Sequence, residues 1–279
     1  MGPKALTSPA WRYRRRMMID PTMHTTVSSS APSVLLRGRD ITRRWGGLIA
    51  VNQVSIDIER GQVHAVIGTN GAGKSTLINI LSGELAPSSG QVELMGQNVT
   101  AWTQPRRARA GLGRSYQRNT IYPSFTVFEN CRLAAQARTP KPWALWQNAQ
   151  NCTASTQAAH EAAARAGLTA LLDRSAGLLS HGQKRQLEIA MCLATAPDVL
   201  LLDEPLAGMG AEETERMLTL LNELRTGHAI LLVEHDMDAV FRIADRITVM
   251  VNGSVIASDT PQAIRESADV KTAYLGEGH

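Results

Sequence analysis

The sequence predicts an α/β fold built on a parallel sheet, with a strand-rich N-terminal part and a mostly helical segment inserted midway. Three observations carry this. Short β-type runs come first, at residues 34–36, 54–58 and 63–67, and glycine-punctuated helix and strand patterns then alternate to the end. Residues 199–202 are apolar throughout, as are strands buried on both faces of a parallel sheet. Residues 124–172 are rich in alanine with periodic apolar positions, which reads as helix set into the α/β core.

At 279 residues and 43% hydrophobic, the chain can bury a large core, and its composition excludes a disordered protein. Residues 1–33 lack periodicity, end in a Ser/Pro-rich run and read as a solvated tail without the apolar core of a secretory signal. That tail holds Lys4, Arg12, Arg14, Arg15 and Arg16 against Asp20, which accounts for the whole formal charge of +4. The remainder is balanced, so no global field steers it toward nucleic acid. Apolar runs are a few residues long, far short of the ~20 needed to span a bilayer. Three widely spaced cysteines, Cys131, Cys152 and Cys192, form no metal-like pattern and fit a reducing cytoplasm. Toward the C-terminus, Asn252-Gly253 predicts a hairpin turn, and Pro261 predicts the start of a last helix.

The first chemical motif is Gly68-Thr69-Asn70-Gly71-Ala72-Gly73-Lys74-Ser75-Thr76. It fits the phosphate-binding pattern G-x-x-x-x-G-K-[ST], with an apolar strand before it and helical spacing after it. Glycines let the backbone approach phosphates, and a helix N-terminus adds its positive end. Lys74 is expected at the β and γ phosphates of a nucleotide and Ser75 at Mg2+, which fits kinases, GTPases and many ATPases alike.

The second is the apolar strand ending in Asp203-Glu204-Pro205. Ligands of parallel sheets bind beyond the carboxyl ends of the strands, where these acids emerge. Asp203 is expected to serve magnesium and Glu204 to polarise the attacking water.

The third is Leu179-Ser180-His181-Gly182-Gln183, where Ser180 can cap a helix and present a hydroxyl and free N–H groups to an anion. With it the sequence resembles the ATP-binding cassette family, whose signature is usually written LSGGQ; His181 stands where a second glycine is common. The resemblance covers about residues 34–279. It implies a P-loop NTPase core with parallel sheet, an N-terminal antiparallel β subdomain and an inserted α-helical subdomain at about 118–185. It also implies a head-to-tail dimer with a second cassette, in which Ser180, Gly182 and Gln183 face the γ-phosphate of ATP held by the partner. Trp45 resembles the platform under adenine, Gln117 the switch glutamine near magnesium, and His235 the switch histidine at the γ-phosphate. Where the family often reads S-A-L-D, this chain has Ala207-Gly208-Met209-Gly210, without the carboxylate.

Phe125 to Asn130, the His181 variant, Glu234 to Asp238 and the closing Ala273-Tyr274-Leu275-Gly276 resemble the ATPase subunit for branched-chain amino acid uptake. This implies work at the cytoplasmic face of a bacterial inner membrane with permease subunits and, indirectly, a periplasmic binding protein. Uptake of urea or short amides is the nearby alternative. A soluble cassette in DNA repair or translation would carry coiled-coil insertions or a second cassette, and a small-molecule kinase explains neither the signature nor His235.

Overall fold

The computed structural model describes residues 34–116, 121–138 and 152–275; the expected tail at 1–33 and Gln117 lie outside them. Its N-terminal sheet has the order β2-β1-β4-β5, from β1 (Val34–Trp45), β2 (Leu48–Glu59), β4 (Ser89–Leu94) and β5 (Gln97–Asn98), with every pairing antiparallel. β1 and β2 run well past the apolar stretches at 34–36 and 54–58. Register shifts and left-handed residues at Asp40 and Gln53 interrupt the alternation that pattern reading relies on. Leu36, Ile41, Val51, Val54 and Ile58 nonetheless all turn into the core, while Arg37 pairs with Asp57 and Glu93 outside it.

The second sheet has the order β10-β9-β3-β8-β7-β6. β3 (Val63–Gly68) lies between β8 (Ala229–Val233) and β9 (Arg246–Val251). β7 (Val199–Asp203) joins β8 to β6 (Leu112–Arg114). These five strands are mutually parallel, and β10 (Ser254–Asp259) closes the edge antiparallel to β9. β3, β7 and β8 are buried at every position, as strands covered on both faces must be. Parallel strands deliver their following loops to one edge, so the segments after β3, β7 and β8 meet there.

On one face, α1 (Lys74–Ser82) fills the space between the two sheets through Leu77, Ile78, Ile80 and Leu81. After it, α2 (Gln104–Arg109) sends Arg107 back into the same core. On the other face lie α6 (Ala211–Arg225) and part of α5 (His181–Ala194), while α7 (Met237–Ile243) and α8 (Pro261–Glu266) cover the β3–β9 side. Where one closing helix is expected from Pro261, there are two, because Ser267 breaks to an extended backbone and starts α9 (Ala268–Leu275). Its hydroxyl accepts from Val270 N at 3.4 Å.

The alanine-rich middle contributes α3 (Val127–Arg138) and α4 (Thr153–Arg165), which pack on α5 around Cys131, Ala159, Ala163 and Leu187. Helix α5 therefore belongs to two cores. Leu187 and Ala190 face α3 and α4, whereas Ile189 and Leu193 face the parallel sheet.

Candidate active site

The loop from Gly68 to Gly73 joins β3 to α1 and is held tightly from behind. Gly68 has φ +154°, and a Cβ there would lie 2.2 Å from the Met250 carbonyl oxygen; at Gly73, φ +97°, it would lie 2.3 Å from that of Ala50. Only glycine fits at either position. The Asn252-Gly253 turn, left-handed at both residues, donates Gly253 N to Ala72 O at 3.1 Å and so braces the loop. No side chain caps α1, which leaves its first N–H groups for an anion. Lys74 Nζ donates to Gly68 O at 2.7 Å and Thr69 O at 2.9 Å, arching the backbone over the ammonium. Burial lowers the Lys74 pKa, against the opposing pull of Glu204 and Asp203. Ser75 is exposed in the first helical turn, with Thr76 beside it.

Asp203 ends β7 and is 4% exposed, and its Oδ1 is buried without a hydrogen-bond partner. Burial raises its pKa, while Arg114, Lys74 and His235 pull it back. An orphaned carboxylate oxygen beside a lysine-held phosphate loop suits a hard cation. Mg2+ is commonly held by one or two carboxylates plus substrate phosphates, so the small donor set fits. Among the described residues there is no cluster of three or more His, Cys, Asp or Glu that could form a cage of its own.

Glu204 follows with φ +51°, a rare conformation for a side-chain-bearing residue, fixed by its N–H donating to Val233 O at 2.9 Å. This turns its carboxylate toward the loop after β8, where His235 Nε2 lies 2.7 Å from Glu204 Oε1. Lys74, Asp203, Glu204 and His235 thus converge at the carboxyl edge of the sheet. Trp45 ends β1 with 44% exposure under the guanidinium of Arg43 at 4.9 Å, a surface ring and not a core one. Its hairpin is the one whose Ala50 abuts Gly73.

The signature segment stands apart. Ser180 caps α5 through a reciprocal box, its Oγ accepting from Gln183 N at 3.3 Å and Gln183 Oε1 accepting from Ser180 N at 3.0 Å. Ser180 and Gly182 bond to Glu213, and His181 to the Ala207 carbonyl. None of these bonds reaches the phosphate loop of the same chain. Gln117 lies outside the described residues, although the Tyr116 carbonyl just before it accepts from Arg185 Nη1 on α5 at 3.1 Å.

Residues 51–207, more than half of the chain, match the sequence profile of the family described as ABC transporter. The chain belongs to the ABC transporter family. Residues 254–279 of this cassette also match the profile of the branched-chain amino acid ATP-binding cassette transporter. The cassette is 39% identical over 251 residues to the high-affinity branched-chain amino acid transport ATP-binding protein BraF of Pseudomonas aeruginosa, covering 87% of this chain and 98% of the relative. It is equally identical over 250 residues, with the same coverage, to the protein LivG of Escherichia coli, which bears the same description. Among solved structures, the ADP conformation of an ATP-binding cassette of an ABC transporter superposes with TM-score 0.78 at 29% identity, over 87% of this chain and 99% of that one.

Glu234, read in the sequence only as part of a resembling run, has a role in the cassette's site that its spacing does not announce. Glu234, 3% exposed, accepts from Leu206 N at 2.7 Å and from His235 N at 3.1 Å. It clamps the segments that carry Glu204 and His235 to each other. Burial pushes its carboxyl up to about 7, against those two backbone N–H groups. A single glutamate beside a histidine has no spacing that announces this.

Proposed function

We propose that the chain is the ATPase subunit of an importer for branched-chain amino acids, with the cassette at 34–279, a tail at 1–33 and a helical subdomain at about 118–185. The observation that carries the hydrolytic part is the Glu204–His235 contact beside a lysine-held phosphate loop. The C-terminal match and the two full-length relatives support the substrate.

In this reading the backbone of residues 68–76 cradles the phosphates of ATP, and Lys74 trades its two carbonyl partners for β- and γ-phosphate oxygens. Trp45 stacks on adenine. Asp203 and Ser75, with Gln117, would hold Mg2+, which when bound neutralises phosphate charge. Glu204 orients and polarises the attacking water, and His235 keeps that carboxylate aimed while its ring contacts the γ-phosphate. Ser180, Gly182 and Gln183, turned away from their own chain's loop, receive the γ-phosphate of ATP on a second cassette in a head-to-tail dimer.

Among the described residues no helix is long and apolar enough to cross a membrane, so transport requires separate permease subunits. The cassette sits peripherally on the cytoplasmic face of the bacterial inner membrane, and a periplasmic binding protein supplies substrate to the permease.

The test is ATP turnover in the reconstituted complex. Leucine, isoleucine or valine should stimulate it; stimulation by urea alone would overturn the substrate. Lys74→Ala should lose ATP affinity, and Glu204→Gln should keep ATP and accumulate as a dimer. Unchanged turnover in either variant would sink the assignment of that residue.

A further inference from the structure

The start of α5 already holds an anion from its own chain. Glu213, in the first turn of α6, places Oε1 where it accepts from the Ser180 hydroxyl at 2.9 Å and from the Gly182 N–H at 3.3 Å. One carboxylate oxygen therefore takes a hydroxyl and a backbone N–H at the N-terminus of a 14-residue helix, the donors that receive phosphate oxygens at such a terminus. The approach is close: a Cβ on residue 182 would lie 2.6 Å from Glu213 Cδ. Gly182 thus makes room for the carboxylate. The neighbouring His181 ring lies 2.9 Å from the Ala207 carbonyl, so the signature turn is fastened at two points to the segment after β7. A polar hollow of about 160 Å³, lined in part by Gln183, Gln186 and Arg216, adjoins Glu213 and gives its side chain space to turn aside.

We propose that Glu213 is a positioning residue of the shared site, a stand-in for the nucleotide that fills the phosphate-receiving turn until the partner's ATP displaces it. The proposal rests on the reading that Ser180 and Gly182 face the γ-phosphate of the partner cassette. A carboxylate and a phosphate cannot both hold one hydroxyl and one N–H, and like charges side by side repel. Closure therefore exchanges one anion for another. While the cassettes are apart, Glu213 keeps the turn in its capped shape and satisfies its donors; as they close, it competes with the γ-phosphate. ADP ends at the β-phosphate and lacks the group that would displace it, so after hydrolysis Glu213 reclaims the turn and favours separation.

The experiment compares ATP-dependent dimerisation of the full chain carrying Glu204→Gln with that of the same chain carrying Glu213→Gln as well, by sedimentation at several protein concentrations. The amide keeps the size and removes the charge. The expected result is a dimer about tenfold tighter in the double variant, the scale of a charge at a helix terminus. Glu213→Ala in the same background should also tighten it. A role confined to supporting the turn predicts the opposite sign, so unchanged or weaker dimerisation in both variants overturns the proposal alone. If Glu204→Gln itself stays monomeric in ATP, the shared-site reading fails and the proposal falls with it.

Discussion

The proposed hydrolytic pair, Glu204 and His235, is set in place by the residues around it. Glu204 sits at φ +51° because its N–H is tied to Val233, and a left-handed residue of this kind costs of the order of 1 to 3 kcal/mol unless its surroundings fix it. Glu234 completes that frame with one oxygen on Leu206 N and one on His235 N. In Glu234→Gln an amide NH2 must face one of these N–H groups, so one side of the clamp opens. We expect kcat to fall about tenfold, or ~1.4 kcal/mol, with the KM for ATP unchanged. A loss confined to KM would place Glu234 outside the hydrolytic frame. The same variant has a pH signature. Folding raises this carboxyl from about 4.5 to about 7, so its contribution to stability is full below 4.5 and is lost as pH rises through 7. The denaturation midpoint of wild type relative to the variant should therefore decline across that window.

Helix α1 shows what an element needs beyond its own sequence. Its N-terminus, the proposed phosphate site, has no side-chain cap, and its C-terminus is closed by Gly83 in the left-handed region and by Arg107. The Arg107 guanidinium, fully buried, donates to Ile80 O and Leu81 O at 2.8 Å and to Thr100 O at 3.0 Å, where a cation complements the helix dipole. Burial pushes its pKa down to about 10, so it stays charged at neutral pH. Arg107→Met keeps much of the stem and orphans the Leu81 and Thr100 carbonyls, while Ile80 O keeps Gly83 N, which should cost about 2 kcal/mol in urea unfolding. A change under about 0.5 kcal/mol, the scale of an ordinary surface substitution, would refute the capping role. Arg114 works similarly between β6 and α1, bonding Ser82 Oγ, Glu84 Oε2 and Asn79 Oδ1.

Across the whole molecule, α5 is the shared bar. Its two apolar faces belong to the helical segment and to the parallel sheet, and Arg185, paired within the helix to Glu188, ties it to the Tyr116 carbonyl. The signature turn at the start of this helix is therefore joined to both cores. An exposed aromatic patch lies on the same helical segment. The rings of Tyr122 and Phe125 stack at 5.4 Å, both exposed, while buried Asn130 fastens Tyr122 N at 2.8 Å and Tyr122 O at 3.1 Å. The patch is thus preformed. Cysteine cross-linking from residue 122 or 125 in the assembled transporter should capture a cytoplasmic loop of the permease, and a patch that stays free there would refute the contact.

The sequence by itself determined the phosphate loop, the acids after the apolar strand, the capped signature turn and the layered α/β plan. Each is a consecutive run whose chemistry depends on spacing along the chain, so it can be read without folding. β1 and β2 were legible only in part, since bulges at Asp40 and Gln53 scramble their alternation. The tertiary structure alone decided that Glu204 meets His235, 31 positions away, and that Glu234, Arg107 and Glu213 find their partners. These are lone polar groups whose bonds span the chain through strand order and helix packing, and a single residue leaves no period for a sequence to display.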